Sequence, residues 1–378
     1  MESLALAKAP NAKNKKLQDE KTFRLGELFC GPGGLAFGAS QSQLANEGIK
    51  FSVKHAWASD YDQDSCNSYK ENVCPDSPET VICKNVNELD IESLPPIDAF
   101  AYGFPCNDFS IVGESKGFDG HFGPLYSYGV KVLNYHKPIF FLAENVGGIT
   151  SANEGKAFEK ILFDLKHGGD GYNLTTNLYR FEKYGVPQTR HRIVIVGFAK
   201  NLNISFKVPE PFTRSNLITA QSALESPPIP QNASNNELTN QSNTVVERLK
   251  NTLPGQNAWN ADLPEHLKLN VKGAKLSQIY RRLHPDKPSY TITGSGGGGT
   301  HGYHWSENRA LTNRERARIQ TFPDNFIFSG RKESVRKQIG MAVPPRISKF
   351  LFECILKSLA GIDYPSVPPS YGAQQKLF

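Results

Sequence analysis

Across residues 23–200, apolar runs of strand length alternate with stretches of helical periodicity. That alternation restricts the chain to a mostly parallel sheet with helices on both faces. Strands are expected at 23–29, 51–59, 80–86, 97–104 and 138–143, the last fully apolar. Helices are expected from the glycine turn to about Gly48, then through about Asn72 with Asp62 as its cap, over 125–136, and over 156–167 with Gly168 and Gly169 as its stop. The runs 172–181 and 192–198 are too close together for an intervening helix, so they should pair antiparallel. Ligands of such sheets bind outside the carboxyl ends of the strands. Cys30, Asp60, Val86, Cys106 and Glu144 all stand at such ends, so one cleft should gather them.

The chain breaks pattern near Pro209. Residues 209–270 are rich in Asn, Ser, Pro and Thr with scattered apolar positions (Leu224, Leu249, Trp259, Leu263), which suits a small irregular domain. Residues 334–359 read as a helix interrupted at Pro344-Pro345. The first 22 residues are polar and carry Lys13, Lys15, Lys16 and Lys21, which reads as a mobile basic tail without a secretion signal. Four segments are expected: the tail 1–22, a catalytic and cofactor-binding domain 23–200, a small domain 201–330, and a helical return 331–378. No apolar run is long enough for a transmembrane helix. The 6 cysteines show neither C-x-x-C nor zinc-site spacing, so free thiols, a cytoplasmic setting and no metal are expected. The formal charge of +6 leans mildly toward a polyanionic partner.

Four motifs carry chemistry. The first is the glycine turn Phe29-Cys30-Gly31-Pro32-Gly33-Gly34 between a strand and a helix, which lets backbone approach a ligand at the helix N-terminus. Asp60 ends the next strand, where a carboxylate can hold ribose hydroxyls, and Tyr61 beside it can stack on a purine. The turn is too short for a pyrophosphate site, so an adenosine-containing ligand without a phosphate chain fits better. The second is Gly103-Phe104-Pro105-Cys106-Asn107-Asp108-Phe109-Ser110, which places a thiol in a stiff loop at a strand end. Cys106 reads there either as a nucleophile or as a half-buried structural cysteine. The third is Glu144-Asn145-Val146, where a partly desolvated carboxylate either carries a proton near neutral pH or sits in a salt bridge. The fourth is Gln188-Thr189-Arg190-His191-Arg192, whose alternation points Arg190 and Arg192 the same way, suited to clamping a carbonyl or supporting a thiolate.

Taken in series, these motifs resemble the DNA cytosine-C5 methyltransferases, with further matching segments at 282–292 and 338–345. The resemblance covers residues 23–200 and 280–350. It implies an α/β, Rossmann-like, S-adenosylmethionine-dependent methyltransferase sheet, mostly parallel with an antiparallel hairpin strand, plus a smaller irregular DNA-recognition domain whose variable part falls at about 200–280. It also implies catalysis by Cys106, Glu144, Arg190 and Arg192 on a cytosine flipped out of duplex DNA. The methyl donor would be S-adenosylmethionine and the by-product S-adenosylhomocysteine. Cofactor contacts are expected from Phe29, Gly31, Gly33, Gly34, Asp60, Tyr61, Asn85, Val86, Pro105, Met341 and Val343. Asn85 and Met341 stand where relatives usually carry aspartate and asparagine. DNA contacts are expected from Ser110, Lys116, Arg282, Thr293, Gly297 and Gly298, with residues 111–124 as a closing loop. Arg282, Thr291, Thr293 and the glycines of 296–299 would meet the phosphate backbone or support the recognition loops. Of the arginines at 309, 314, 316 and 318, about half should be structural, with Glu315 as a partner. The implied setting is a bacterial restriction–modification pair, with a monomer acting beside a cognate endonuclease. The competing readings are a tRNA cytosine-C5 methyltransferase and a catalytically silent DNA-binding regulator.

Overall fold

The computed structural model describes residues 19–105, 125–213, 216–270, 276–294 and 298–371. Cys106, Ser110, Lys116, Gly297 and the loop 111–124 lie outside them.

The central sheet is built on β1 (Asp19–Leu28), β3 (Ile49–Asp60), β5 (Ala99–Tyr102) and β6 (Phe140–Val146), which run parallel. β9 (His191–Ala199) then lies antiparallel between β6 and β7 (Tyr172–Arg180). The short β4 (Val81–Cys83) pairs parallel with the end of β3. β2 (Gln43–Asn46) pairs antiparallel with its start, giving the order β2-β3-β1-β5-β6-β9-β7. The inner strands are apolar on both faces because both faces are covered. One face packs α1 (Gly34–Ser40), α2 (Gln63–Val73) and α9 (Pro345–Leu359) through Ala36, Tyr69, Leu351 and Phe352. The other packs α3 (Tyr126–His136) and α4 (Lys156–His167) through Val132, Leu133, Ile161 and Leu165. No helix among the described residues is long and apolar enough to cross a membrane.

The sequence expectation fails at the first helix. It does not run to Gly48 but stops at Ser40, and β2 turns back into β3 through Glu47 and Gly48. Both turn residues have positive φ, 50° and 87°, as a two-residue hairpin turn of this hand requires. β1 also starts at Asp19, inside the segment read as tail. The antiparallel finish of β7 and β9 and the Asp62 cap of α2, where the carboxylate accepts from the Ser65 amide, follow the expectation.

Residues 220–342 hold two further cores. One joins α5 (Ala220–Glu225), α7 (Asn313–Ile319) and α8 (Lys332–Met341) through Leu224, Ala317, Ile319 and Ile339, with Phe322, Phe326 and Phe328 in T-shaped and tilted contacts. The other gathers Leu249 of α6 (Asn243–Lys250) with Leu263, Tyr280 and Tyr303. The scattered apolar residues Leu224, Leu249 and Leu263 are thus core positions in a region with little regular structure. β8 (Gln188–Thr189) pairs with β11 (Ser289–Tyr290), and the Gln188 amide bridges Gln320 Oε1 and the Ile292 amide. This stitches the region to the main sheet.

Candidate active site

A cleft of about 500 Å³ opens at the carboxyl ends of the parallel strands. Its first wall is the turn after β1. Phe29, Gly31 and Gly33 all have positive φ (54°, 52° and 94°). For Phe29 this is backbone strain of the kind found at ligand sites. A Cβ on Gly34 would collide with the carbonyl oxygen of Val343, so the N-terminus of α1 lies against the chain leaving α8. At Gly31 a Cβ would meet nothing within 4 Å; the space beside it is open.

Asp60 braces this turn. One carboxylate oxygen accepts from the Gly31 amide and the other from the Asp62 amide, both at 2.9 Å. Burial pushes its carboxyl above the usual range against those bonds. Tyr61 is 63% exposed. Lys337 on α8 reaches across the cleft to its hydroxyl (3.4 Å), to Asp62 Oδ2 (3.3 Å) and to the ring face (5.4 Å). Met341, 60% exposed, lines the same wall one turn further along α8. Pro105 and Val343 line the cleft too, whereas Gly33, Asn85 and Val86 stand outside its lining. Asn85 caps the following turn through the Asn87 amide at 3.4 Å, and Val86 is buried.

The second wall carries the acid and the arginines. β6 and β9 pair so that Val146 faces Arg192 and Glu144 faces Val194. Glu144 and Arg192 are therefore diagonal neighbours on one face. Arg192 Nε stands 2.9 Å from Glu144 Oε1 with both side chains largely buried. The pair is ionic rather than an aligned hydrogen bond, for Oε1 is buried without a hydrogen-bond partner. Glu144 Oε2 lies beside Gly103, 3.4 Å from where a Cβ would stand. The Asn145 amide donates to the Phe104 carbonyl at 3.0 Å. It thereby pins the loop that leads through Pro105 into Cys106.

Arg190 takes other partners. Its guanidinium is buried and donates to the carbonyls of Ile292 (3.1 Å) and Ala342 (3.2 Å), joining the sheet to the end of α8. Burial, and after it the Arg192 charge, hold it well below its ordinary value. Arg282 is likewise buried and donates to the carbonyls of His304, Leu249, Thr252 and Glu307, so the structure gives it the loop-supporting role. Thr293 lines the cleft, and Gly298 sits in the turn Gly298–Thr300.

Glu27 and Lys337 were not singled out by sequence, and Asn145 was named only as part of its motif. Glu27 ends β1 in a wholly buried position at the back of the cleft, accepting from the Tyr69 hydroxyl at 3.2 Å. Burial pushes its carboxyl from 4.5 up to about 8. A raised folded value means that its contribution to stability is complete below 4.5 and is lost as pH rises through about 8. Glu27→Gln keeps an acceptor oxygen but cannot ionise. It is expected to flatten the decline of unfolding free energy between about pH 5 and pH 8 by a few kcal/mol at most, on the order of 1.4 per pH unit, as read by urea unfolding across that range.

Solved structures share this architecture. A prophage-encoded E. coli protein described as a DNA modification methyltransferase superposes with TM-score 0.67, covering 89% of this chain and 99% of that one at 23% identity. The Entamoeba histolytica methyltransferase EhMeth gives 0.60 at 17% identity, covering 90% and 99%. At such identities the likeness speaks for the fold. A sheet in this order, with a glycine turn after its first strand, is the Rossmann-like fold those methyltransferase structures share. Sequence narrows the class. Residues 23–357 match the C-5 cytosine-specific DNA methylase family. The chain is 58% identical to the type II methyltransferase M.BbvI of Brevibacillus brevis, covering 91% of this chain and 94% of that protein. It is 41% identical to M.NgoFVII of Neisseria gonorrhoeae, covering 84% and 82%. The chain belongs to the C-5 cytosine-specific DNA methylase family and is a DNA (cytosine-5-)-methyltransferase of the restriction–modification type.

Proposed function

We propose that this enzyme methylates carbon 5 of a cytosine extruded from a specific site in duplex DNA, through a covalent bond between Cys106 and the base. It does so as a monomer in the bacterial cytoplasm, and the mark guards host DNA against an endonuclease of the same specificity. The observation that carries this reading is the Glu144–Arg192 pair. It stands beside Gly103 and Pro105, in the same cleft as the glycine turn and Asp60.

The cleft fits both reactants. Its volume suits a nucleoside-bearing molecule. The open space at Gly31 and the exposed Tyr61 ring suit an adenosine, and the Glu144 carboxylate on the cleft wall suits a polar ring edge. When bound, S-adenosylmethionine supplies an electrophilic methyl group on a sulfonium. The Cys106 thiolate adds to carbon 6 of the cytosine, the electron pair of the 5,6 double bond moves toward carbon 5, and that carbon becomes nucleophilic. Glu144 holds N3 and the exocyclic amine, and its carboxylate relays a proton taken from solvent to N3 as charge builds there. Arg192, fixed by Glu144, grips O2. Once carbon 5 has taken the methyl group, loss of its proton to solvent and return of the N3 proton through Glu144 re-form the double bond and expel the thiolate, leaving 5-methylcytosine. Arg190 keeps the wall rigid by holding two carbonyls across it.

The test is transfer of label from methyl-labelled cofactor to duplex DNA and to tRNA, followed by bisulfite sequencing of DNA from cells expressing the chain. Labelled duplex with one recurring methylated sequence is expected. Label in tRNA alone would overturn the assignment to DNA.

A further inference from the structure

The four arginines on and beside α7 do not share one fate. Arg309 is paired with Glu307 and Glu315, Arg318 with Asp324, and Arg314 is spent on the carbonyls of Ser234, Pro323 and Phe326. Arg316 is nearly fully buried, yet among the described residues its hydrogen-bond acceptor is the Leu311 carbonyl alone, at 3.3 and 3.4 Å. A second guanidinium, Arg336 of α8, is half-buried and close enough for its charge to act on Arg316. Arg336 Nη1 donates to His301 Nδ1 at 3.2 Å, while its Nε is buried with no partner. That bond fixes His301 as the neutral ring with Nε2–H as a free-standing donor type. Burial, then the charges of Arg336 and Arg316, hold His301 down to about 4. Burial followed by the charge of Arg336 holds Arg316 down to about 10. Glu333 is exposed one turn earlier on α8 and is felt by both Arg336 and His301. Among the described residues it makes no ion pair with either.

Glu315 also acts on Arg316, but its carboxylate is held by Arg309, and clustered cations without a carboxylate of their own are costly unless an anion completes them. The place of this cluster says which anion. His301 directly follows the turn Gly298–Thr300, and Lys337, the residue after Arg336, already lines the reaction cleft. The cluster therefore stands just outside the cleft, whose lining reaches the adjoining Lys337. We propose that Arg336, Arg316 and His301 form a seat for one backbone phosphate of the duplex, flanking the target cytosine. This rests on the reading that the chain binds duplex DNA. The seat positions the duplex and carries no base information.

The experiment measures binding of a duplex containing the methylation site across a salt series, with methylphosphonates placed singly along each strand to neutralise one phosphate at a time. Arg336→Gln is expected to weaken wild-type binding about tenfold near 0.1 M salt and to lower the slope of log affinity against log salt by about one. One phosphonate position should weaken the wild type by a similar factor and leave Arg336→Gln unaffected, while other positions weaken both. Arg336→Lys should recover the slope, and the bisulfite pattern should not change. If Arg336→Gln fails to fold, His301→Gln and the wild-type phosphonate scan carry the same comparison. An unchanged slope, or phosphonate effects identical in wild type and variant, would overturn the phosphate seat alone. A wild type that binds no duplex would overturn the DNA reading and this inference with it.

Discussion

Glu144→Gln is expected to cut the single-turnover methylation rate about a thousandfold, within the range for loss of a proton donor in the transition state, while duplex affinity changes little. Glutamine keeps the shape and one acceptor, but it cannot supply a proton to N3 of the base. It also leaves the Arg192 guanidinium, largely buried and 2.9 Å from its partner in the wild type, facing a neutral amide. Breaking such a pair costs about 3 kcal/mol of stability, so a fall in rate alone could reflect a loosened site. A double substitution separates the two effects. Glu144→Gln with Arg192→Met removes both charges and should recover much of the lost stability, because a paired apolar replacement leaves no stranded ion. The rate should stay low. Single-turnover labelling with urea unfolding on the same preparations reads both quantities. A Glu144→Gln enzyme with the wild-type rate would remove the acid from the mechanism.

Gly340→Ala is expected to lower stability by about 3 kcal/mol, the upper end of ordinary overpacking, and to weaken S-adenosylhomocysteine binding by at least about tenfold, equivalent to 1.4 kcal/mol. The methyl group would fall on the Gly294 amide nitrogen and the Thr293 carbonyl carbon, both backbone and neither able to rotate away. α8 would have to withdraw from residues 293–294. It carries Lys337 and Met341 on the cleft wall, and its end holds the Arg190 guanidinium through Ala342. Gly31→Ala is the contrast. No atom lies within 4 Å of its Cβ position, so only the positive φ is strained, at about 1–2 kcal/mol. Calorimetric titration and urea midpoints for the two variants check the order. A Gly340→Ala protein with the wild-type midpoint would mean that the close approach is not structural.

The parts of the fold legible in sequence are those written in local pattern. The apolar run of β6 announced a central strand, the short interval before Arg192 announced the hairpin, and Asp62 announced a helix start. Glu144 was legible for the same reason, as a lone carboxylate at the end of an apolar strand. What was hidden depends on partners far along the chain. Alternation put Arg190 and Arg192 on one face and both line the cleft, yet Arg190 finds its acceptors 102 and 152 residues away. The five acceptors around Arg282 come from several loops of the small core. Lys337 looks like one more surface lysine until α8 is laid across Tyr61. β2 was missed because a helical pattern ran into it and its turn relies on Glu47, a residue that rarely adopts positive φ.

The most direct test of the central claim is covalent capture on a duplex whose target cytosine is replaced by 5-fluorocytosine, in the presence of S-adenosylmethionine. After methyl transfer the fluorine on carbon 5 cannot leave as the proton does, so the bond from Cys106 to carbon 6 persists. A denaturant-stable protein–DNA band is expected from the wild type and none from Cys106→Ser, although the variant still binds the duplex. A wild type that binds but yields no band, or a Cys106→Ser protein that is still captured, would contradict the account.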